Sequence, residues 1–425
     1  MKRRILTLLA VLIAAGAGAC REELDSGRAC PSLCPSQNVG IRDTIINPVL
    51  AFDTTLIGYP DRGQEDAMLL ATRGDTLETV GVIRFDKLDG VFTPVGDTAR
   101  AITRVDSSRV RLVLDRRGAR LPSQVRFDVY DVDDSTAADT ASAAVLALFR
   151  PNRLIGSRTF LKDSLKDTVF VSLSDSAVLG KITGKAHLRL GLRVDGSDVV
   201  WIRVQTVETG NPALLSYRPS RDTTAKAIEV RPLSLTPAGN DSPEIRSDLT
   251  DFTLVSKNAV PETTNTISVG GIPGRRAYLR FNVPRYITDS TTVIRASLRL
   301  TQRPLAFGDA RDTMVVHAHV VLAGPAVVDL RRASNIIGPP GLLVLDSLIT
   351  SPRDSGVRVF ELYGLVRAWG SQTAFLNAPP RAVVLRASPE SVLPFEARFF
   401  STSAAPSLRP SMQISYIPKT QFGVP

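Results

Sequence analysis

The chain repeats one order of strand-forming segments, and that repetition limits its fold more than any other feature. Asp53-Thr54-Thr55-Leu56 returns as Asp251-Phe252-Thr253-Leu254. Val82-Ile83-Arg84-Phe85-Asp86 returns as Tyr278-Leu279-Arg280-Phe281-Asn282, and Arg109-Val110-Arg111-Leu112 as Ser297-Leu298-Arg299-Leu300. Near the end of each unit, Ser216-Tyr217-Arg218-Pro219 is echoed by Ser415-Tyr416-Ile417-Pro418. Each match is short, but four in one order are not easily chance. A unit of this size is a whole domain rather than a solenoid repeat. Short alternations of Val, Leu, Ile and Phe, cut by Gly, Pro, Asp and Asn, read as strands and turns. Helical spacing is rare. Its best instance is Leu362, Leu365, Val366 and Trp369, a short helix on a sheet rim with Trp369 facing the core. The expected class is all-β, as two tandem antiparallel β-sandwich domains.

Apolar residues make up 43% of the 425 residues and aromatics 6%, so the cores must be built mainly from Val, Leu, Ile and Ala. The formal charge is +10, carried largely by scattered Arg. Scattered Arg argues against a dedicated nucleic-acid patch and suits a mild attraction to anionic lipid or acidic glycan.

Met1-Lys2-Arg3-Arg4 precedes an apolar run from Ile5 to Ala19, which closes as Ala17-Gly18-Ala19-Cys20. A basic head, an apolar stretch and small residues before a cleavage point make a secretory signal. The run is shorter than the ~20 apolar residues that span a bilayer as a helix. It resembles a bacterial lipoprotein signal, which implies lipidation of Cys20 and export to a membrane surface. Arg21, where Asp would imply inner-membrane retention, favours the outer membrane or cell surface. In that oxidising compartment Cys30 and Cys34 are candidates for a small disulfide loop; two free thiols are the other reading. Zinc would need about four ligands, and no His lies near them. The expected organisation is a signal peptide with its anchor Cys at 1–20 and a disordered tether at 21–46. A first, diverged sandwich at 47–219 follows, then a linker at 220–245, a second sandwich at 246–418 and a tail at 419–425.

The second unit resembles the DNRLRE (disaggregatase-related) domain family. The likeness is carried by Ala277-Tyr278-Leu279-Arg280-Phe281 and Val293-Ile294-Arg295-Ala296-Ser297-Leu298-Arg299-Leu300. It continues in Leu365-Val366-Arg367-Ala368-Trp369, Ala397-Arg398-Phe399-Phe400-Ser401 and Arg409-Pro410-Ser411-Met412-Gln413-Ile414-Ser415-Tyr416. It covers residues 250–418, with a looser copy in 47–219 that has Val178-Leu179-Gly180-Lys181-Ile182 where Trp369 stands. The resemblance implies jelly-roll modules of exported proteins, grouped with carbohydrate-binding modules.

Strand alternation sorts side chains onto two faces. Val110, Leu112 and Leu114 oppose Arg109 and Arg111; Leu188, Leu190, Leu192 and Val194 oppose His187, Arg189 and Arg193. Val200, Ile202 and Val204 oppose Trp201, Arg203 and Gln205, while Met314, Val316, Ala318, Val320 and Leu322 oppose His317 and His319. Arg84 and Arg280 point away from their apolar neighbours. The candidate ligand-binding face is therefore Arg84, Arg111, Tyr130, Arg189, Trp201, Arg203, Arg280, Arg299, His317 and His319. Guanidinium forks suit carboxylates and sulfates, and Trp201 or Tyr130 could stack on a sugar ring. The plainer reading is a solvated face on which Arg pairs with Asp128 or Asp198 across strands. A cover of loops over that face would bury Trp201 and defeat both readings.

His317 and His319 are weak metal candidates without an evident third ligand. Asp128, Asp131, Asp133 and Asp134 would be the oxygens of a structural calcium, or simply a polar strand end. No other cofactor is expected. Gly270-Gly271-Ile272-Pro273-Gly274 lacks the Lys-Ser/Thr of a phosphate loop and reads as a hairpin turn. Neither a Gly-x-Ser-x-Gly elbow nor His-Glu-x-x-His occurs. The expectation is a non-catalytic envelope lipoprotein, membrane-held by its anchor, that binds or scaffolds polysaccharide. The alternatives are a structural or adhesin-like protein with a protein partner, and a polysaccharide lyase or hydrolase.

Overall fold

Segments rich in Val, Ile, Leu and Phe fold as strands, because branched and aromatic side chains pack well on a pleated surface. The computed structural model describes residues 40–94, 96–134, 137–220, 226–233, 249–258, 264–306, 309–323, 329–337, 344–370 and 381–419. The chain begins with β1 (Arg42–Ile46), β2 (Leu50–Ile57), β3 (Ala67–Arg73), β4 (Leu77–Phe85), β5 (Val91–Phe92) and β6 (Arg100–Ala101). Next come β7 (Ser107–Arg120), β8 (Gln124–Asp131), β9 (Leu154–Leu161), β10 (Thr168–Ser172), β11 (Leu188–Gly196), β12 (Val200–Gln205) and β13 (Leu214–Arg218). The second half has β14 (Ile228–Val230), β15 (Asp251–Asn258), β16 (Thr266–Gly270), β17 (Arg275–Phe281), β18 (Thr291–Arg303) and β19 (Met314–Val320). It ends with β20 (Val344–Thr350), β21 (Gly356–Glu361), β22 (Ala382–Ser388), β23 (Glu396–Phe400) and β24 (Ser411–Pro418). Among the described residues five short α-helices lie between: α1 (Ser142–Leu146), α2 (Asp175–Thr183), α3 (Arg285–Asp289), α4 (Leu330–Asn335) and α5 (Tyr363–Ala368).

Among the described residues, β5 and β6 pair as a small ribbon and the other strands form two large antiparallel sheets of the same plan. One runs β13-β7-β12-β3-β4-β11-β8-β9 and the other β24-β18-β23-β16-β17-β22-β19-β20. Each sheet doubles back on itself through one long strand. Residues 109–111 of β7 lie between β10 and β13, while Leu114, Asp115 and Arg120 pair with β12. In the same way β18 lies between β21 and β24, then meets β23 at Gln302 and Arg303. The result is the expected all-β sandwich architecture, with apolar alternate residues filling each interior.

The leading strands of each half do not join their own half. β2 pairs with β17, and β1 pairs with β24, both in the second sheet. β15 pairs with β4, and β14 with β13, both in the first. The registers are equivalent: Asp53 lies opposite Leu279 as Asp251 lies opposite Ile83. Side-chain bonds match as well. Leu69 N donates to Thr253 Oγ1 at 3.1 Å, and Ser268 N donates to Thr55 Oγ1 at 2.9 Å. The first sandwich is thus continuous from β3 to β15, and the second is β16 to β24 completed by β1 and β2.

The expected boundaries of 47–219 and 246–418 therefore do not follow the sheets. The last residues of the expected tether are β1, and part of the expected linker is β14. Alternation marks which face a residue takes but not which neighbour its strand will find, so the repeat was visible and the exchange was not. Cys20, Cys30, Cys34, the signal and the tether up to residue 39 lie outside the described residues. So do most of the linker and the tail beyond Lys419.

Three of the four sequence matches occupy equivalent places. The fourth is two residues out of register: Leu215 lies opposite Val110 and Met412 opposite Leu298, so Tyr217 corresponds to Ile414. The short helix expected at 362–369 is α5, with Leu365 and Val366 buried and Trp369 packed 5.4 Å from Phe281. The corresponding segment of the first half, around Val178 and Ile182, is α2. Gly270–Gly274 is the expected hairpin turn. Gly274 can be nothing larger, because a Cβ there would sit 1.8 Å from Tyr59 O. Gly274 O accepts from Gly58 N at 2.9 Å, which fastens the end of β2.

Candidate functional site

The outward face of the first sheet is roofed, not open. Residues 132–134 and 137–149, including α1, bring Val132, Ala137, Val145 and Leu148 down onto Val80, Val82, Tyr130 and Phe252. Tyr130 is buried there against Phe149, at 5.4 Å between ring centroids. Asp139 from the roof is clasped by Arg84 and Arg189. Arg189 is also held by the carbonyls of Val132 at 2.8 Å and Ala137 at 2.9 Å. The second sheet carries a similar roof of Val321, Ala323 and Ala333 over Tyr278 and Val384.

The ten residues of the expected face therefore do not form one surface. Arg84, Arg189 and Tyr130 belong to the roofed layer. Arg111 is half-buried on β7 and Arg299 half-buried on β18. Arg280 is exposed and lies over the Phe52 ring at 5.9 Å, on the face of the exchanged strand β2. His317 accepts or donates at Nδ1 to Ser347 Oγ at 2.6 Å, and burial with Arg386 nearby holds its pKa below the usual imidazole value. His319 is buried, with its ring 6.0 Å from that of His317. The roofing is the loop cover under which the open-face reading fails.

Trp201 and Arg203 alone of that set line an open cleft, of about 440 Å³, between the two sandwiches. Arg117 and Gly118 come from the irregular end of β7, Arg311 and Asp312 from the loop before β19, and Leu393 and Phe395 from the loop before β23. Trp201 is 4% exposed, packed edge-on to Phe395 at 6.3 Å, so its indole is core beneath the cleft and does not offer the expected stacking face. Gly118 admits the indole: its φ is +68°, and a Cβ there would stand 3.3 Å from Trp201. Arg203 is 6% exposed. Its Nη2 bonds Asp115 at 3.0 Å and the Arg117 carbonyl at 2.7 Å, while its Nε meets no partner among the described residues. Burial holds the Arg203 pKa below its ordinary value; Asp115 opposes that and Arg117 adds like-charge repulsion.

At the rim, the Arg117 and Arg311 side chains are 89% and 86% exposed while pairing at one edge with Asp115 and Asp309. Arg120 crosses between the halves to Asp309 at 3.2 Å and Asp312 at 3.1 Å, which fixes the cleft walls. Two exposed guanidinium forks at the rim of a cleft can receive an anionic group. Arg117, Arg311 and Phe395 were not singled out from sequence. A Gly inside a strand pattern, at Gly118, was the one available signal of a close approach.

A second, larger cleft of about 950 Å³ lies beside the β2–β3 connection, lined by Asp61, Arg62, Glu65, Thr253, Arg331 and others. Glu65 is 5% exposed and accepts from Gly63 N at 2.6 Å. Burial pushes its carboxyl up to about 7. Asp251, 1% exposed on β15, is also pushed up to about 7 by burial, with Glu208 and Glu65 adding like charge.

The acidic string on β8 meets cations of the chain itself. Asp128 pairs with Arg126 at 3.0 Å, Asp131 and Asp133 with Lys181 at 3.1 and 2.8 Å, and Asp134 with Arg153 at 3.1 Å. Among the described residues, no group of three or more His, Cys, Asp or Glu is placed to hold a metal ion. Comparison with protein-family models gave no match, and comparison with curated proteins gave none.

Proposed function

We propose that this is a lipid-anchored envelope protein that holds an acidic polysaccharide, without catalysis, in the cleft lined by Arg117, Arg203 and Arg311. The observation that carries this reading is Arg203, a nearly buried guanidinium beside an indole and beneath two exposed arginines. A carboxylate or sulfate on a sugar ring would pair with the exposed Arg117 and Arg311 forks, with the Arg203 charge adding attraction from below. The resemblance of residues 250–418 to the DNRLRE family and the lipoprotein-like N-terminus support the setting: an exported jelly-roll protein held by Cys20 at an outer membrane or cell surface.

Affinity electrophoresis of the full chain through gels containing a polyuronate, a sulfated glycan or a neutral glucan tests the proposal. The acidic polymers should retard the protein and the neutral one should not. Arg117→Ala/Arg311→Ala should weaken retardation roughly tenfold, about 1.4 kcal/mol. Equal mobility in all three gels would remove the reading.

A second reading has one observation behind it. Glu65 lines the larger cleft with a carboxyl near neutral titration, which suits a general acid of a glycan hydrolase or lyase. Release of reducing ends or unsaturated products from polymer, abolished by Glu65→Gln, would favour it over pure binding.

A further inference from the structure

We propose that one end of the second sandwich, where β1 starts, β24 finishes and α3 lies, is a docking surface for an anionic lipid bilayer. The inference rests on the reading of Cys20 as a lipid anchor. An open cleft of about 590 Å³ marks this end, lined by Arg42, Tyr286, Asp289, Tyr416 and Lys419 among others. Arg42 lies opposite Tyr416 on β24, and Lys419 N donates to the Ser290 carbonyl at 2.9 Å, so the strand ends and α3 are tied together.

Three observations suit a membrane surface. The first is charge. Arg42, Arg285 and Lys419 are exposed and, among the described residues, none is ion-paired. Many arginines of this chain have an acid of their own, as Arg116 has Asp167 and Arg126 has Asp195. The acids of this end are engaged locally: Asp43 with Ser415, Asp289 with Thr288 at 2.7 Å, and Glu361 with Arg295 at 2.9 Å. The second is the company those cations keep. Tyr286 is exposed, and a register shift in β18 between Val293 and Arg295 leaves Ile294 exposed as well. Tyrosine beside cations and an exposed aliphatic side chain is the composition favoured at the headgroup level of a bilayer. The third is chain length. Arg42 follows Cys20 by 22 residues, so acylation there delivers this cleft to the surface first. Tethering raises the local concentration of lipid, and a surface of weak intrinsic affinity is then enough.

The test uses the acylated full chain in vesicles, with Cys30→Ser, Cys34→Ser and one dye-labelled cysteine, at Thr292→Cys or Ser355→Cys. Both positions are exposed. Thr292 opens β18 beside the cleft, whereas Ser355 precedes Gly356, which lies opposite Gln302 at the other end of that strand. Ten residues of strand put them roughly 33 Å apart. Nitroxide-headgroup lipid should quench the dye at 292 more than at 355. The difference should grow when phosphatidylglycerol is added to phosphatidylcholine and shrink with salt. Arg42→Ser/Arg285→Ser/Lys419→Ser should lower the ratio of docked to undocked protein on the order of a hundredfold. Equal quenching at the two positions, or indifference of position 292 to lipid charge, would overturn the proposal. Flotation separates this outcome from failure of the anchor. A chain that does not float with vesicles lacks acyl groups, and the two labels are then read on that chain added to preformed vesicles. A signal at 292 in anionic lipid still supports the surface; silence there overturns it.

Discussion

Thr402 donates its backbone N–H to Asp53 Oδ2 at 2.7 Å, across 349 residues of sequence. Val207 does the same to Asp251 Oδ2 at 3.0 Å in the first sandwich. Each aspartate sits on a leading strand and ties it to the turn after β23 or β12 of the other half. The exchanged strands are therefore latched by side chains as well as by their ladders, and the latch is duplicated with the fold.

Thr253→Val tests the latch on β15. The variant keeps the side-chain volume and removes the acceptor for Leu69 N, a buried donor. Leaving a buried donor unmatched costs about 1–3 kcal/mol. Urea unfolding should show that loss, with little change in the slope.

Glu65 and Asp251 predict an unusual pH dependence. Burial pushes both up to about 7 in the fold, from ordinary values of 4.5 and 3.8. The folded protein thus binds these protons more tightly than the unfolded chain. The stability from them is fully present below the unfolded values and is lost as pH rises through about 7. The loss is on the order of a few kcal/mol for the pair. Thermal melts from pH 5 to 8 should fall for the natural chain, and Glu65→Gln/Asp251→Asn should flatten the slope. A melting temperature that climbs across this range would contradict the assignment.

Asp139→Ala should be among the more damaging single changes in the first sandwich. Asp139 answers both Arg84 and Arg189 beneath the roof, and its loss strands a buried cation. Breaking one side of a buried pair costs about 3–5 kcal/mol. Replacing Asp139 and Arg189 together by Leu and Met should recover part of the loss in denaturant melts.

Gly118→Val should close the Trp201 cleft. The position has φ +68°, and a Cβ would press on the indole at 3.3 Å. A left-handed backbone costs a branched residue at least about 1–2 kcal/mol. Reduced stability with a changed tryptophan emission spectrum is the expected outcome.

The strand classes, the repeat and the short helix carrying Trp369 were legible because period and order are local properties of sequence. Trp201 and Arg203 were read correctly as pointing away from the first core. What covers them was not legible: Trp201 packs on Phe395, nearly two hundred residues away, and no pattern in β12 specifies that neighbour. The roof over Arg84 and Arg189 was hidden for a related reason. Val132, Ala137, Val145 and Leu148 are spread through a Ser/Thr/Ala-rich stretch with no single period, so the segment reads as a loop until its apolar atoms find the sheet.

Hydrogen exchange on a chain lacking residues 42–57 tests the strand exchange most directly. The account predicts lost protection in β17 and β24, more than two hundred residues from the deletion, with β4 and β11 still protected. Lost protection in β4 and β11, with β17 and β24 intact, would contradict it.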